Sequence, residues 1–180
     1  TERSVDAAKC ISYLTIERET PIEPAMHGMM GEWLLGCDIC QEVCPFNQPE
    51  RSNEVRTSAR MHPAHSAATA RIPARLELLD ILGWDADARA ARLSSTAVKR
   101  ATLDVLKRNA LIVLGNRVLE EFAEARGLGM KPGDLEMKAG DWRSMAIDRI
   151  QMLAVSADEP ELVRVTANQV LGRLAEVGAV

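Results

Sequence analysis

The spacing of apolar side chains divides this chain into an interrupted first part and a regularly helical second part. Proline and glycine break the apolar pattern repeatedly over residues 1–50, so only short helices fit there. We expect one helix over residues 10–16, capped by Asp6, and a second over residues 29–35. Residues 51–75 are polar and rich in alanine and serine, which is typical of a linker.

From residue 76 onward, apolar side chains recur every three or four positions, as in helices that bury one face. Gly83 and the pair Gly115-Asn116 are residue types that commonly end helices. The predicted helices cover residues 76–82, 85–93, 97–114, 118–125, 142–155 and 161–177.

Two of these segments also resemble each other. Residues 107–115 align with residues 164–172, and the second segment follows an Asp-Glu-Pro turn at 158–160. This pattern favours a HEAT-type repeat, in which helix pairs stack to bury their apolar faces. Any two amphipathic helices can align over nine residues, so an ordinary helix pair stays open.

Composition supports a helical, non-membrane chain. The 180 residues are 47% apolar but only 3% aromatic, so aliphatic side chains and methionine must fill the core, which disfavours an all-β fold. The longest unbroken apolar run, residues 110–114, is far shorter than the roughly 20 residues of a membrane-spanning helix.

Charge is unevenly distributed along the chain. The net charge is −6 over residues 1–50, +6 over residues 51–117 and −4 over residues 118–180. The middle third is therefore a candidate surface for an anionic partner, although an ordinary solvated helix face has the same charge pattern.

The candidate chemistry lies in the cysteines, all four of which fall within the first 44 residues. Cys37, Cys40 and Cys44 form a C-x2-C-x3-C run followed by Pro45, and Cys10 lies well upstream. A cysteine before proline is typical of ferredoxin-type chains, where it binds the other of two clusters. A structural zinc site more often uses two C-x2-C pairs, so iron–sulfur is favoured, with zinc or free thiols as alternatives.

The segments around these cysteines resemble a known family. KCISYLTIE at residues 9–17, followed by GCDICQEVCPFN at residues 36–47, closely resembles epoxyqueuosine reductase, a cobalamin-dependent iron–sulfur enzyme family that completes queuosine at the tRNA wobble position. The stretch STAVKRATLDVLKRNALIVLGN at residues 95–116 and the closing helical block are similar to the family more weakly.

The resemblance implies a mainly α chain, with a small ferredoxin-like 4Fe-4S segment (1–50), a linker (51–75) and a HEAT-like helical domain (76–180). It also implies roles for individual residues. Cys10, Cys37 and Cys40 match ligands of the second 4Fe-4S cluster, and Cys44 matches a ligand of the first. The positions that match cobalamin contacts are Ser12, Cys37 and Asp38.

Contacts with the tRNA anticodon stem-loop are expected from two regions. The first region matches a stretch near bound tRNA in the family and contributes Ile16, Glu17 and Thr20. The second region is the basic middle third, which contributes Lys99, Arg100, Lys107 and Arg108. Lysine and arginine in the second region would meet phosphates and give salt-dependent affinity. Lys107 and Arg108 lie beside a core-packing face, so an internal role is equally open for them.

The resemblance is incomplete in one respect. The family places a further cysteine motif and a cobalamin-binding domain with a catalytic carboxylate upstream of the position of Thr1. Two clusters require four cysteines each, and this chain has four in all. We therefore expect a C-terminal portion with no catalytic residue of its own, inactive alone, which needs an N-terminal cobalamin-binding region and an external electron donor. The intact enzyme would be a cytoplasmic monomer.

Two other functions fit the same residues. One is another dicluster electron-transfer protein, similar to reductive dehalogenases, and the other is a non-catalytic, zinc-stabilised HEAT module that binds a partner. The metal that the chain binds, zinc or iron with sulfide, distinguishes the HEAT module from the redox functions.

Overall fold

The computed structural model describes residues 6–47, 77–127 and 141–180, and within these ranges it is mainly helical without any β-strand. Short 3-10 turns occur at Ala7–Lys9 and Ala97–Arg100. The α-helices are α1 (Ile11–Ile16), α2 (Pro24–Met30), α3 (Ile39–Glu42), α4 (Leu78–Leu82), α5 (Ala86–Leu93), α6 (Leu103–Gly127), α7 (Trp142–Val155) and α8 (Glu161–Glu176). The predicted linker over residues 51–75 lies outside the described residues.

The first part confirms α1 but corrects the second predicted helix. The Asp6 carboxylate accepts a hydrogen bond from the Ala8 amide and caps the turn before Cys10. The helix expected over residues 29–35 instead covers Pro24–Met30. Pro24 occupies the first helical position, where its fixed φ is favourable, and Gly31 ends the helix with a φ of 50°.

The second part confirms α4, α5, α7 and α8 within a few residues of their predicted bounds. The predicted helix over residues 97–114 was wrong at both ends. Its first residues form a separate 3-10 turn, and α6 continues through Gly115 and Asn116 to Gly127. Gly115 permits close helix packing here, because a Cβ atom at this position would lie 2.5 Å from Val170 Cγ1 of α8.

The core is organised around α6. This helix packs along α8, which packs against α7, and α4 covers another side of α6. A large cluster of buried residues joins these helices and includes Leu82, Leu106, Leu111, Val118, Ile150, Val170 and Leu174. A second, small cluster joins α6 to the cysteine-bearing segment through Leu14, Ile22, Met30 and Ile112. Because both clusters use α6, its middle is buried on all sides, as expected for a central core helix.

No helix in the described part of the chain is long and apolar enough to cross a bilayer.

Candidate metal centre

The four cysteines lie in two short stretches of the first part. Cys10 immediately precedes α1, and Cys37, Cys40 and Cys44 belong to residues 36–47, which we call the cysteine loop. All four are free thiols, with Cys40 exposed and the others half-buried. Thiols of this kind are the donors that iron–sulfur clusters take, so the residues fit such a group.

The thiols are not arranged around one point. Among the described residues, no group of three His, Cys, Asp or Glu side chains could hold a single metal ion. A 4Fe-4S cluster places each cysteine sulfur on a different iron atom, so its ligands need not converge in this way.

The cysteine loop begins at a turn that is hydrogen-bonded to α1. Gly36 adopts a φ of 75°, which glycine tolerates without steric cost. Its amide donates to Thr15 Oγ1 over 2.9 Å, and the Thr15 hydroxyl donates to the Ile11 carbonyl over 2.8 Å. The start of the cysteine loop is therefore joined directly to the helix that follows Cys10.

Arg108 of α6 binds the main chain around the end of α1. Its side chain is fully buried, and it donates to the carbonyl oxygens of Leu14, Arg18 and Thr20. It also donates to Asn109 Oδ1, from Nε over 3.1 Å and from Nη2 over 2.8 Å. Burial lowers the pKa of Arg108 to about 10, so the side chain stays charged at neutral pH.

Two asparagines of α6 extend this contact. Asn109 donates to the carbonyls of Thr15 (2.8 Å) and Leu34 (2.9 Å). Asn116 donates to the carbonyls of His27 (2.8 Å) and Gly31 (2.9 Å) and accepts from Arg173 over 3.0 Å. We call Arg108, Asn109 and Asn116 the carbonyl-binding set, because together they satisfy main-chain acceptors across residues 14–34.

The structure separates the predicted tRNA contacts into two groups. Lys107 and Arg108 are buried, and Lys107 forms an ion pair with Glu159 over 2.8 and 2.9 Å. Their charges face internal partners, which favours the internal role over the phosphate contact that the sequence left equally open for these two. The physical reason is that α6 is covered at this point by α1 and by the turn before α8.

The other predicted contacts are accessible and partly brought together. Arg100 Nη2 lies 2.5 Å from Glu17 Oε1, and both side chains are well exposed. Lys99 and Thr20 are also exposed, and Ile16 is half-buried. Two regions predicted separately from the sequence thus meet on one surface.

The residues predicted to face cobalamin lie beside the cysteines. Ser12 is half-buried in the first turn of α1, and Asp38 is exposed between Cys37 and α3. The same segment exposes several large apolar side chains: Tyr13 (42%), Ile39 (42%), Val43 (68%) and Phe46 (83%).

Sequence reasoning named Arg108 but missed Thr15, Asn109 and Asn116 as residues of this site. Thr15 lies within the KCISYLTIE segment, but its burial beside Leu14 is known only from the structure. The asparagines carried no local signal, since their acceptors lie more than 70 positions away in the chain.

His27 also lies in this region, and its burial predicts that stability depends on pH. Its Nε2 is 3.0 Å from the Ile22 carbonyl, and its side chain is fully buried. Burial lowers the pKa of His27 from 6.5 to about 4, with the nearby positive charges of Arg173 and Arg108 acting in the same direction.

Between pH 4 and pH 6.5, His27 binds a proton in the unfolded chain but not in the folded chain. The free energy of unfolding should therefore have its full value above pH 6.5 and fall as the pH drops towards 4. From pH 7 to pH 5 we expect a loss of roughly 1–2 kcal/mol from this group. Urea unfolding at both pH values measures it, with His27→Gln as control. If the variant keeps the full pH dependence of the wild-type chain, another group is responsible.

Comparisons with known proteins agree with this picture of the site. A family model for the 4Fe-4S double cluster binding domain matches residues 1–47. Curated relatives named epoxyqueuosine reductase include those of Leadbetterella byssophila, 34% identical over 63% of this chain and 34% of the relative, and Pseudomonas aeruginosa, 32% identical over 77% and 36%. The Escherichia coli protein is 30% identical over 66% of this chain and 29% of its own length.

A solved structure of epoxyqueuosine reductase from Bacillus subtilis has the same fold over most of the chain. It matches with a TM-score of 0.54 and 19% identity, covering 94% of this chain and 45% of that structure. The chain therefore spans about a third of the length of the curated relatives it matches.

Proposed function

Since this chain is similar to one stretch of the epoxyqueuosine reductases, we propose that it is the C-terminal portion of such an enzyme. The intact enzyme would reduce epoxyqueuosine to queuosine at the wobble position of tRNA. The observation that carries this proposal is the set of four free thiols, all of which lie in the segment that the double-cluster model matches. This chain alone would be inactive, because the catalytic carboxylate belongs to the cobalamin-binding region.

The cysteines would serve two clusters. Cys10, Cys37 and Cys40 would bind the second 4Fe-4S cluster, and Cys44 would bind the first, with the remaining ligands supplied by an N-terminal region. When bound, the clusters supply single-electron transfer from an external donor, and cobalamin supplies the reduced metal centre for removing the epoxide oxygen. The chain's own residues would hold the cysteine-bearing segment in place through the carbonyl-binding set.

The N-terminal region would cover the cysteine-bearing segment. Ser12, Cys37 and Asp38 would face cobalamin there. Support comes from the exposed apolar side chains Val43 and Phe46, since large exposed apolar groups next to a site commonly mark an interface. We propose that the completed enzyme is a monomer that acts in the cytoplasm, where its tRNA substrate would be.

The tRNA anticodon stem-loop would bind where Glu17 meets Arg100. Ile16, Thr20 and Lys99 lie on the same two segments, and Lys99 and Arg100 provide positive charge for phosphates. The Glu17 carboxylate neutralises part of that charge, so binding must compete with this ion pair.

Lys99→Ala and Arg100→Ala should each weaken tRNA binding and reduce the salt slope of log K by about 1, the value for one phosphate contact. Glu17→Gln should have the opposite effect on affinity, because it releases Arg100. Filter binding over a range of salt concentrations measures this, with Arg126→Ala, exposed near the far end of α6, as the matched control. Equal slopes for all these variants would leave Lys99 and Arg100 as ordinary surface residues.

We further propose that residues 76–180 form a HEAT-like helical domain and that residues 1–50 form half of a ferredoxin-like one. The two segments of similar sequence lie in α6 and α8, which pack together. Asn116 and Arg173, which occupy corresponding positions just after these segments, are hydrogen-bonded to each other. The small apolar cluster of Leu14, Ile22, Met30 and Ile112 would be the contact between these two domains.

Analysis of metal and acid-labile sulfide tests the proposed function. The anaerobically purified chain is measured before and after reconstitution with iron and sulfide, together with its absorption spectrum. Iron with sulfide supports the proposal. Stoichiometric zinc without sulfide would contradict it and favour a structural binding module.

A further inference from the structure

We infer that Thr15 is the positioning residue that fixes Cys10 relative to Cys37, an inference that rests on the proposed role of these cysteines as ligands of one cluster. Its side-chain oxygen connects the two residues that flank these cysteines. Ile11 directly follows Cys10, and Gly36 directly precedes Cys37.

The Thr15 hydroxyl acts both as a donor and as an acceptor of hydrogen bonds. The hydroxyl has one proton, which it donates to the Ile11 carbonyl over 2.8 Å, and its oxygen accepts the Gly36 amide over 2.9 Å. The side chain is fully buried, so water does not compete for either bond. The Gly36 amide therefore has a fixed partner at the point where the chain turns into the cysteine loop.

Asn109 completes the connection from the other side. Its side-chain amide donates to the main-chain carbonyls of both Thr15 and Leu34. The residues before Cys37 are thus connected to Thr15 of α1 in two ways. Gly36 binds the Thr15 hydroxyl directly, and Leu34 is linked to the Thr15 carbonyl through the Asn109 side chain of α6. A rotation of the loop relative to α1 would break both connections.

The cluster would place a strict requirement on this geometry. Cysteine ligands on separate segments must present their sulfurs at a fixed separation, and outer groups that orient the ligands contribute to affinity. Thr15 meets this requirement without contacting a ligand sulfur, which is why it is a positioning residue.

Three variants test the inference. Thr15→Val keeps the shape of the side chain and removes the hydroxyl, whereas Thr15→Ser keeps the hydroxyl. Thr166→Val is the matched control, because Thr166 is equally buried and its hydroxyl donates to the Leu162 carbonyl over 2.8 Å in the same helical manner. It belongs to α8, which contains no cysteine.

The first measurement needs no cluster. Amide hydrogen exchange at Gly36 in the iron-free chain should be at least tenfold faster in Thr15→Val, as expected for the loss of one buried hydrogen bond. Thr15→Ser and Thr166→Val should match the wild-type chain. Unchanged exchange at Gly36 in Thr15→Val would overturn the inference.

The second measurement concerns the ligands. The chain is reconstituted with ferrous iron and sulfide in the presence of a thiol reductant, and iron release to a chelator is followed. Thr15→Val should release iron about tenfold faster than the wild-type chain, with Thr15→Ser close to wild type. Equally fast release from Thr166→Val would mean that general destabilisation is the cause, and would overturn the inference. Zinc without sulfide in the wild-type chain would refute the proposed function instead, whereas uptake of no metal at all would mean that the clusters need the ligands of the N-terminal region. In both cases Gly36 exchange in the iron-free chain still decides whether Thr15 fixes the loop.

Discussion

Arg108→Ala is expected to lower the free energy of unfolding by roughly 3 kcal/mol, because it removes a buried charge that satisfies several main-chain carbonyls at once. The acceptors, the carbonyls of Leu14, Arg18 and Thr20, would remain buried or partly buried without this donor. Urea unfolding followed by circular dichroism measures the change. Arg108→Lys should recover little of it, since a single ammonium group cannot reproduce the planar fork that reaches acceptors on several sides.

Arg117→Ala is the control for this result. Arg117 belongs to the same helix and pairs with Glu32 over 2.7 Å, but both side chains are substantially exposed. Exposed ion pairs contribute about 0–1 kcal/mol, so this variant should be nearly as stable as the wild-type chain. If the two variants lose the same stability, Arg108 does not have the structural role that its contacts indicate.

Cys37→Ala and Cys40→Ala are each expected to abolish binding of the second cluster, and with it turnover of an enzyme that contains this chain. A 4Fe-4S cluster takes one thiolate on each iron, and alanine offers no replacement ligand. Iron and acid-labile sulfide content after reconstitution measure the loss, together with the absorption of the cluster.

Gln41→Ala is the matched control, because Gln41 directly follows Cys40, is exposed and carries no thiol. It should retain wild-type iron and sulfide. Retained cluster and turnover in either cysteine variant would contradict the assignment of ligands.

The fold was predictable where local signals were sufficient. Asp85 at the start of α5 and the apolar spacing of α7 and α8 gave helices at nearly the observed bounds. A helix end was predicted wrongly where a residue type that commonly ends helices serves instead in packing between helices. Gly115 predicts a stop, but in the structure it allows α8 to approach, so α6 continues for three more turns.

In the candidate site, too, local patterns could be predicted from the sequence and long-range contacts could not. The cysteines were identified from spacing alone, because C-x2-C-x3-C-P is a local pattern whose chemistry does not depend on distant residues. For Lys107 and Arg108 the sequence left a phosphate contact and an internal role equally open, and the structure buries both. Charge in a sequence does not show whether a side chain meets solvent or an internal acceptor.

The sequence by itself determined that this is a helical chain with a cysteine segment suited to iron and sulfur, because helix periodicity and ligand spacing are properties of neighbouring residues. Only the tertiary structure decided how that segment is held. Arg108 and Asn109 bind carbonyls far away in the chain, at Leu14, Thr15 and Leu34. Main-chain carbonyls are present at every residue, so their partners cannot be inferred from residue type. Which carbonyl meets which side chain depends on the packing of α6 against α1 and α2.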